Sequence, residues 1–247
     1  MPIRRFSPLG RIRRFREANR IGGAYIGRRM KTSELIEAIQ KGDAKRVGAL
    51  LDEDRSLLQA KSGKVSAVML ALYHQHPEIA QLFTDRGATL TFAEACAVGD
   101  TKRAMELLAS DPSLLQSYSE DGYPAAGLAI FFRHPDLAAE LIRRGADVNA
   151  AAKNPQRVAP VHAAVTVGDF DTMKMLLERG ANPDARQEAG FTALHGAAAH
   201  GDVKMAKLLL EFGADPKAST DDGKDVAEVA EKFNQPAFAE WFRANAR

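Results

Sequence analysis

Residues 190–216 read Gly190-Phe-Thr-Ala-Leu-His-Gly-Ala-Ala-Ala-His-Gly-Asp-Val-Lys-Met-Ala-Lys-Leu-Leu-Leu-Glu-Phe-Gly-Ala-Asp-Pro216, and this stretch decides how the rest of the chain is read. It predicts two short helices joined by a tight turn. Thr192 is placed to cap the first helix, its side-chain oxygen accepting from the orphan N–H groups of the first turn. Leu194, Ala197 and Ala198 then share one face at helical spacing, and the alanines allow a neighbour to approach closely. His200-Gly201-Asp202 breaks the helix, with Gly in the left-handed conformation and Asp starting the next helix. Met205, Leu208, Leu209 and Leu210 give the second helix its apolar face, and Gly213 ends it. Two helices this short cannot bury their own apolar faces, so each pair needs copies of itself on either side.

The copies are present. Gly-Ala recurs at Gly87-Ala88, Gly145-Ala146, Gly180-Ala181 and Gly213-Ala214, and the mid-repeat Gly-Asp at Gly42-Asp43, Gly99-Asp100, Gly168-Asp169 and Gly201-Asp202. Gly145 and Gly180 are 35 residues apart, Gly180 and Gly213 33. A period of this length, with Ala159-Pro160-Val161-His162-Ala163-Ala164, Thr192-Ala193-Leu194-His195-Gly196-Ala197 and the Gly-Ala-Asp-Val-Asn of 145–149, resembles the ankyrin repeat. The resemblance covers roughly residues 32–245. It implies an all-α solenoid of about six repeats plus a C-terminal capping repeat, with short hairpin fingers between helix pairs. The mixture of regular and eroded repeats is more like bacterial members than long uniform animal arrays.

Laid along the chain, the repeats fall at about 32–59, 62–90, 91–118, 121–149, 154–184 and 187–217, with the cap at 221–245, and together they make one repeat domain over 32–247. In the first, Ser33 is placed to cap a helix bearing Leu35, Ile36, Ala38 and Ile39. Gly87 and Gly99 are only 12 residues apart where Gly180 and Gly201 are 21, so the finger before Thr91 is expected to be missing. The connection over 150–158 is two residues longer than the others and lacks the finger Gly. Leu107-Leu108 to Gln116 echoes Leu50-Leu51 to Gln59, and Arg133-His134-Pro135-Asp136 echoes Gln75-His76-Pro77-Glu78. The first half therefore reads as a duplicated two-repeat unit.

Residues 1–31 differ in kind. They carry ten Lys and Arg against the single Glu17, a net +9 in a chain whose total is +2, so the repeat body is acidic. A segment of this composition lacks the apolar content to order itself alone. It reads as a basic arm for nucleic acid or another polyanion, as a targeting peptide, or as a tail with no specific role. The second is disfavoured by the missing apolar core of a secretory signal and by the few serines. Met30 stands directly before the first repeat, so translation could also begin there.

The remaining composition bounds the function classes. The chain is 45% hydrophobic and 27% charged, which suits a soluble body with an adequate core. One Cys excludes an internal disulfide framework and fits a reducing compartment, so a cytoplasmic location is expected. The longest apolar run, Ala67 to Tyr73, is too short to span a bilayer. Six histidines invite a metal or catalytic reading. Within the resemblance, however, Pro160, His162, Thr192 and His195 occupy the repeat motif, whose histidine makes structural hydrogen bonds, and His76 and His134 occupy the slot after the turn. His74 and His76 have no Cys or neighbouring carboxylate to complete a zinc set. Cys96, between two alanines, reads as a small buried hydrophobe. No phosphate-binding Gly loop, nucleophile elbow or paired-carboxylate motif is present. The expectation is a monomer that is not an enzyme and needs no metal or cofactor.

The resemblance implies that a protein partner, not identified by the sequence, sits on the concave face formed by finger tips and the ends of the inner helices. Projecting the repeat onto this chain puts Tyr73, His74, Phe131, Phe132, Thr166 and His200 before the turns, and Tyr123 and Phe191 in the fingers. The aromatics among them would anchor a binding patch, or tuck under the next finger as packing. The alternative is nucleic-acid or anionic-surface binding through residues 1–31. Arg86, Arg143, Arg144 and Arg179, each just before a Gly-Ala, are expected to complement helix C-terminal dipoles.

Overall fold

The computed structural model describes residues 30–246. The basic arm therefore lies outside the described residues, apart from its last two positions. The chain divides into two compact units, Met1–Thr89 and Leu90–Arg247, and the division falls where the sequence places the missing finger. The architecture is the expected all-α one, built of short helix pairs.

In the first unit, α1 covers 30–40, followed by α2 (Ala44–Glu53), a 3-10 turn at Arg55–Gln59, α3 (Ala67–Tyr73) and α4 (Pro77–Asp85). The helix α1 is already formed at residue 30, so Ser33 lies inside it and not at its cap. Leu35, Ile39, Val47, Leu50, Leu51, Ile79 and Phe83 are buried between the helices. A two-residue hairpin pairs Lys61–Ser62 with Val65–Ser66 and makes the one finger of this unit among the described residues. Ser66 leaves the hairpin and caps α3, its hydroxyl accepting from the N–H of Met69 at 3.2 Å.

The second unit holds α5 (Phe92–Val98), α6 (Thr101–Ser110), α7 (Ala125–Phe131), α8 (Pro135–Arg143), α9 (Pro160–Val167), α10 (Phe170–Glu178), α11 (Ala193–His200), α12 (Val203–Glu211), α13 (Val226–Lys232) and α14 (Pro236–Asn245). The odd-numbered helices stack directly on one another, α7 between α5 and α9, and α11 between α9 and α13. Their contact faces are largely alanine, with Ala95, Ala97, Ala129, Ala164, Ala197, Ala198 and Ala230 fully buried, which is what permits the close approach. No hairpin precedes α5. Leu90 runs straight into Thr91, which forms a reciprocal cap with Glu94: the Thr91 N–H donates to the carboxylate at 2.7 Å, and the hydroxyl accepts from the Glu94 N–H at 3.3 Å.

The finger tips are strung together by main-chain hydrogen bonds. Lys153 N–H donates to the Gly122 carbonyl at 2.7 Å, Glu188 to Gln156 and Asp221 to Ala189, both at 2.9 Å. In the lengthened connection over 150–158, Ala152 N–H closes onto the Val158 carbonyl, and Arg157 takes the left-handed conformation (φ 49°) that a Gly supplies in the other fingers. Side-chain amides also bridge the consecutive loops that lead from the outer helices into the fingers. Gln116 donates to Gly145 O and accepts from Asp147 N–H, and Asn149 does the same to Gly180 O and Asn182 N–H. Each bridge satisfies one carbonyl and one N–H of the loop that follows an outer helix.

Candidate functional site

The repeat motif does structural work. Pro160 occupies the first turn of α9, where its missing N–H costs nothing. His162, almost fully buried, accepts at Nδ1 from Ala159 N–H (3.0 Å), which leaves the proton on Nε2 to donate to Ala185 O (2.9 Å). One imidazole thus ties the start of α9 to the following finger. His195 repeats the first half: its Nδ1 takes the N–H of Thr192 at 3.2 Å, and the Thr192 hydroxyl meets the same nitrogen at 2.9 Å. The Thr192 hydroxyl is therefore committed to the imidazole, a different partner from the first-turn N–H groups expected of it. His195 Nε2 makes no hydrogen bond, although the Lys224 and Ala218 carbonyls face the ring closely enough to favour its charged form.

Burial holds both imidazoles below the ordinary histidine range. For His195 the nearby Arg186 guanidinium acts in the same direction, and the two carbonyls oppose it. An unfolded chain takes up protons near the ordinary value of 6.5 that the folded chain refuses. The stability these groups confer is complete above that pH and is lost as pH falls below it. We expect the melting temperature to drop between about pH 7 and about pH 5. Replacing both residues, His162→Gln with His195→Gln, is expected to flatten that drop. An equally steep profile in the doubly substituted chain would assign the pH dependence elsewhere.

Cys96 sits in α5 at 0% exposure, and burial pushes its thiol up to about 12. The thiolate is the reactive species, so the native thiol is inert. An aromatic disulfide reagent at about pH 8 should leave the folded protein unmodified and label the denatured chain once. Rapid labelling of the folded protein would show that α5 opens. Among the described residues, no group of three His, Cys, Asp or Glu side chains is placed to hold a metal.

The arginines before the Gly-Ala pairs are all engaged. Arg86 forks onto Asp52 at 2.8 and 3.1 Å, Arg143 and Arg144 both pair with Glu140, and Arg179 donates to Ile142 O at 3.0 Å. Ile142 lies in the last turn of α8, so Arg179 serves the C-terminus of the preceding repeat's helix.

The projected groove residues separate into open and committed ones. In the first unit, Tyr73 is half-buried at the end of α3 and His74 is exposed beside it. In the second unit, Phe131 ends α7 at 42% exposure, one of the most exposed large apolar side chains among the described residues. Phe132 is half-buried and meets it edge to face, with centroids 5.2 Å apart, an arrangement that holds both rings in place. His200 is exposed at the end of α11. Tyr123 is half-buried in a finger closed by Ser119, whose N–H donates to Tyr123 O at 2.8 Å and whose hydroxyl accepts from Tyr123 N–H at 3.0 Å. Thr166 is exposed, but its hydroxyl donates to His162 O at 2.7 Å. Phe191 lies against the buried His195 ring at 5.6 Å, which turns one face to packing.

One aromatic was missed. Phe233 is 48% exposed at the end of α13 and holds the same place as Phe132, directly before a left-handed residue and three before a Pro. The signal was the Gln-Pro of the cap, in register with the His-Pro of the fourth repeat.

Comparison with known proteins places the chain among repeat-bearing ones. A family model described as "Ankyrin repeats (3 copies)" matches residues 128–220 and 161–245. The chain is 24% identical over 205 residues to the putative palmitoyltransferase ZDHHC13 of Danio rerio, which covers 65% of this chain and 31% of that protein. It is 36% identical over 78 residues to the E3 ubiquitin-protein ligase hecd-1 of Caenorhabditis elegans, 31% of this chain and 3% of that one. The chain therefore spans less than a third of the length of either relative. Among the described residues, no helix is long and apolar enough to cross a membrane.

Proposed function

The chain is an ankyrin-repeat protein, and from that premise we propose that it is a non-catalytic scaffold binding a protein partner along the edge formed by its inner-helix ends and fingers. The observation that carries this is the ring of Phe131, exposed at the end of α7 and braced edge to face by the half-buried Phe132. Rigid aromatics that are already ordered lose little entropy on contact and so make strong anchors. His200 and Phe233 extend the same edge of the second unit, while Tyr73 and His74 offer the equivalent position in the first. The enzymatic activities named for the two relatives belong to proteins far longer than this chain, and nothing in the repeat motif transfers them here. The inert thiol and the structurally committed histidines agree with a protein that does no chemistry. We place it in the cytoplasm as a monomer.

A photo-crosslinking amino acid at Phe131 tests the reading in cells. A discrete partner adduct is expected from position 131 and none from an exposed outer-helix position such as Lys102. Equal adducts from both positions would put the contact elsewhere. The second reading, nucleic-acid or anionic-surface binding through the arm, draws on the net charge of residues 1–31. It is distinguished by a steep fall of affinity with salt.

A further inference from the structure

The turns inside the helix pairs come in two chemistries. At Asp43, Asp100, Asp169 and Asp202, an Asp follows the turn Gly and its carboxylate accepts from the backbone N–H three residues on, at 2.9 to 3.0 Å. At Gln75-His76-Pro77, Arg133-His134-Pro135 and Asn234-Gln235-Pro236, the left-handed residue is not Gly (φ 63°, 64° and 60°), and the side chain after it makes no cap bond. Released from capping, the side chain reaches back to the turn of the repeat before. A Cβ on Gly42 would collide with the His76 ring, one on Gly99 with the His134 ring, and one on Gly201 with the Gln235 amide. His134 is further tied to that turn by Nε2 donating to Ala97 O at 3.0 Å. Gly168, whose following repeat carries the capping Asp202 after its turn Gly, faces open space.

We infer that His76, His134 and Gln235 are staples that join the repeats two by two: first to second, third to fourth, and sixth to cap. The fifth repeat, ending its inner helix at Gly168, has no staple on its turn. The claim separates two demands on a turn glycine that are otherwise indistinguishable. Gly99 (φ 77°) and Gly168 (φ 67°) have the same backbone requirement, but only Gly99 lies under a staple.

Asn tolerates the left-handed conformation, so Gly→Asn isolates the collision from the backbone strain. Gly168→Asn should lower the melting temperature by no more than about 4 °C, and Gly99→Asn by at least twice that or enough to prevent folding. In a His134→Ala background, Gly99→Asn should cost no more than Gly168→Asn does. This last comparison stands even where Gly99→Asn alone does not fold. The inference is overturned if Gly99→Asn is as mild as Gly168→Asn, or if His134→Ala fails to relieve it.

Discussion

Replacing Phe131 and Phe132 together by Ala is expected to weaken partner binding by about 30-fold or more while leaving the melting temperature nearly unchanged. The magnitude follows from the roughly 2 kcal/mol or more that a buried aromatic anchor contributes at an interface. The stability statement follows from position. Phe131 is 42% exposed and its neighbour half-buried, so truncation removes little of the core. The two readings of this pair make opposite predictions. Rings that serve mainly to pack under a finger would give a protein that melts earlier and binds as before. Rings that serve as anchors give one that melts as before and binds poorly. Calorimetric titration of the crosslinked partner, paired with thermal melts, separates them.

A large loss of stability is expected from Phe238→Ala. Its side chain is 2% exposed in α14 and packs against Trp241 and Phe242, with centroids 5.4 and 5.9 Å away. Truncating a buried Phe removes its transfer energy and leaves a cavity, a cost of about 3–5 kcal/mol. The consequence reaches beyond one helix. The apolar face of α13 is covered by α14 on one side and α11 on the other, and a repeat array depends on its terminal unit to shield the last inner helix. Hydrogen exchange should therefore accelerate in α13 and α14 first, with α7 and α8 little affected. Uniform acceleration across the second unit would show that its repeats unfold as one.

Much of this architecture could be read from residues 190–216 because each repeat is a local object. Helix, turn and Gly follow one another within about 33 residues, and the fold is what results when that pattern meets copies of itself. The missing finger before Thr91 was legible as a shortened distance between glycines, and α5 does follow Leu90 and Thr91 without a hairpin. What the residues could not convey was how each side chain is used once neighbours surround it. Phe131 and Phe191 project onto the same edge by spacing alone. Only packing decides that the first ring stands open while the second lies on His195. Thr192 has the residue type of a helix cap, yet an imidazole three positions on competes for its hydroxyl and wins. Phe233 escaped because the projected positions stopped at the sixth repeat, although Asn234 turns the cap in the way Arg133 turns the fourth repeat. Arg157 replaces a finger glycine in the same way.

The central claim is that the repeat surface, not the basic arm, carries recognition. Its most direct test is the affinity of the crosslinked partner for the full chain and for a chain starting at Met30, each measured between about 50 and 200 mM salt. The account predicts equal affinities and a shallow salt dependence in both. A loss of binding on removal of residues 1–29, together with a steep salt slope in the full chain, would contradict it.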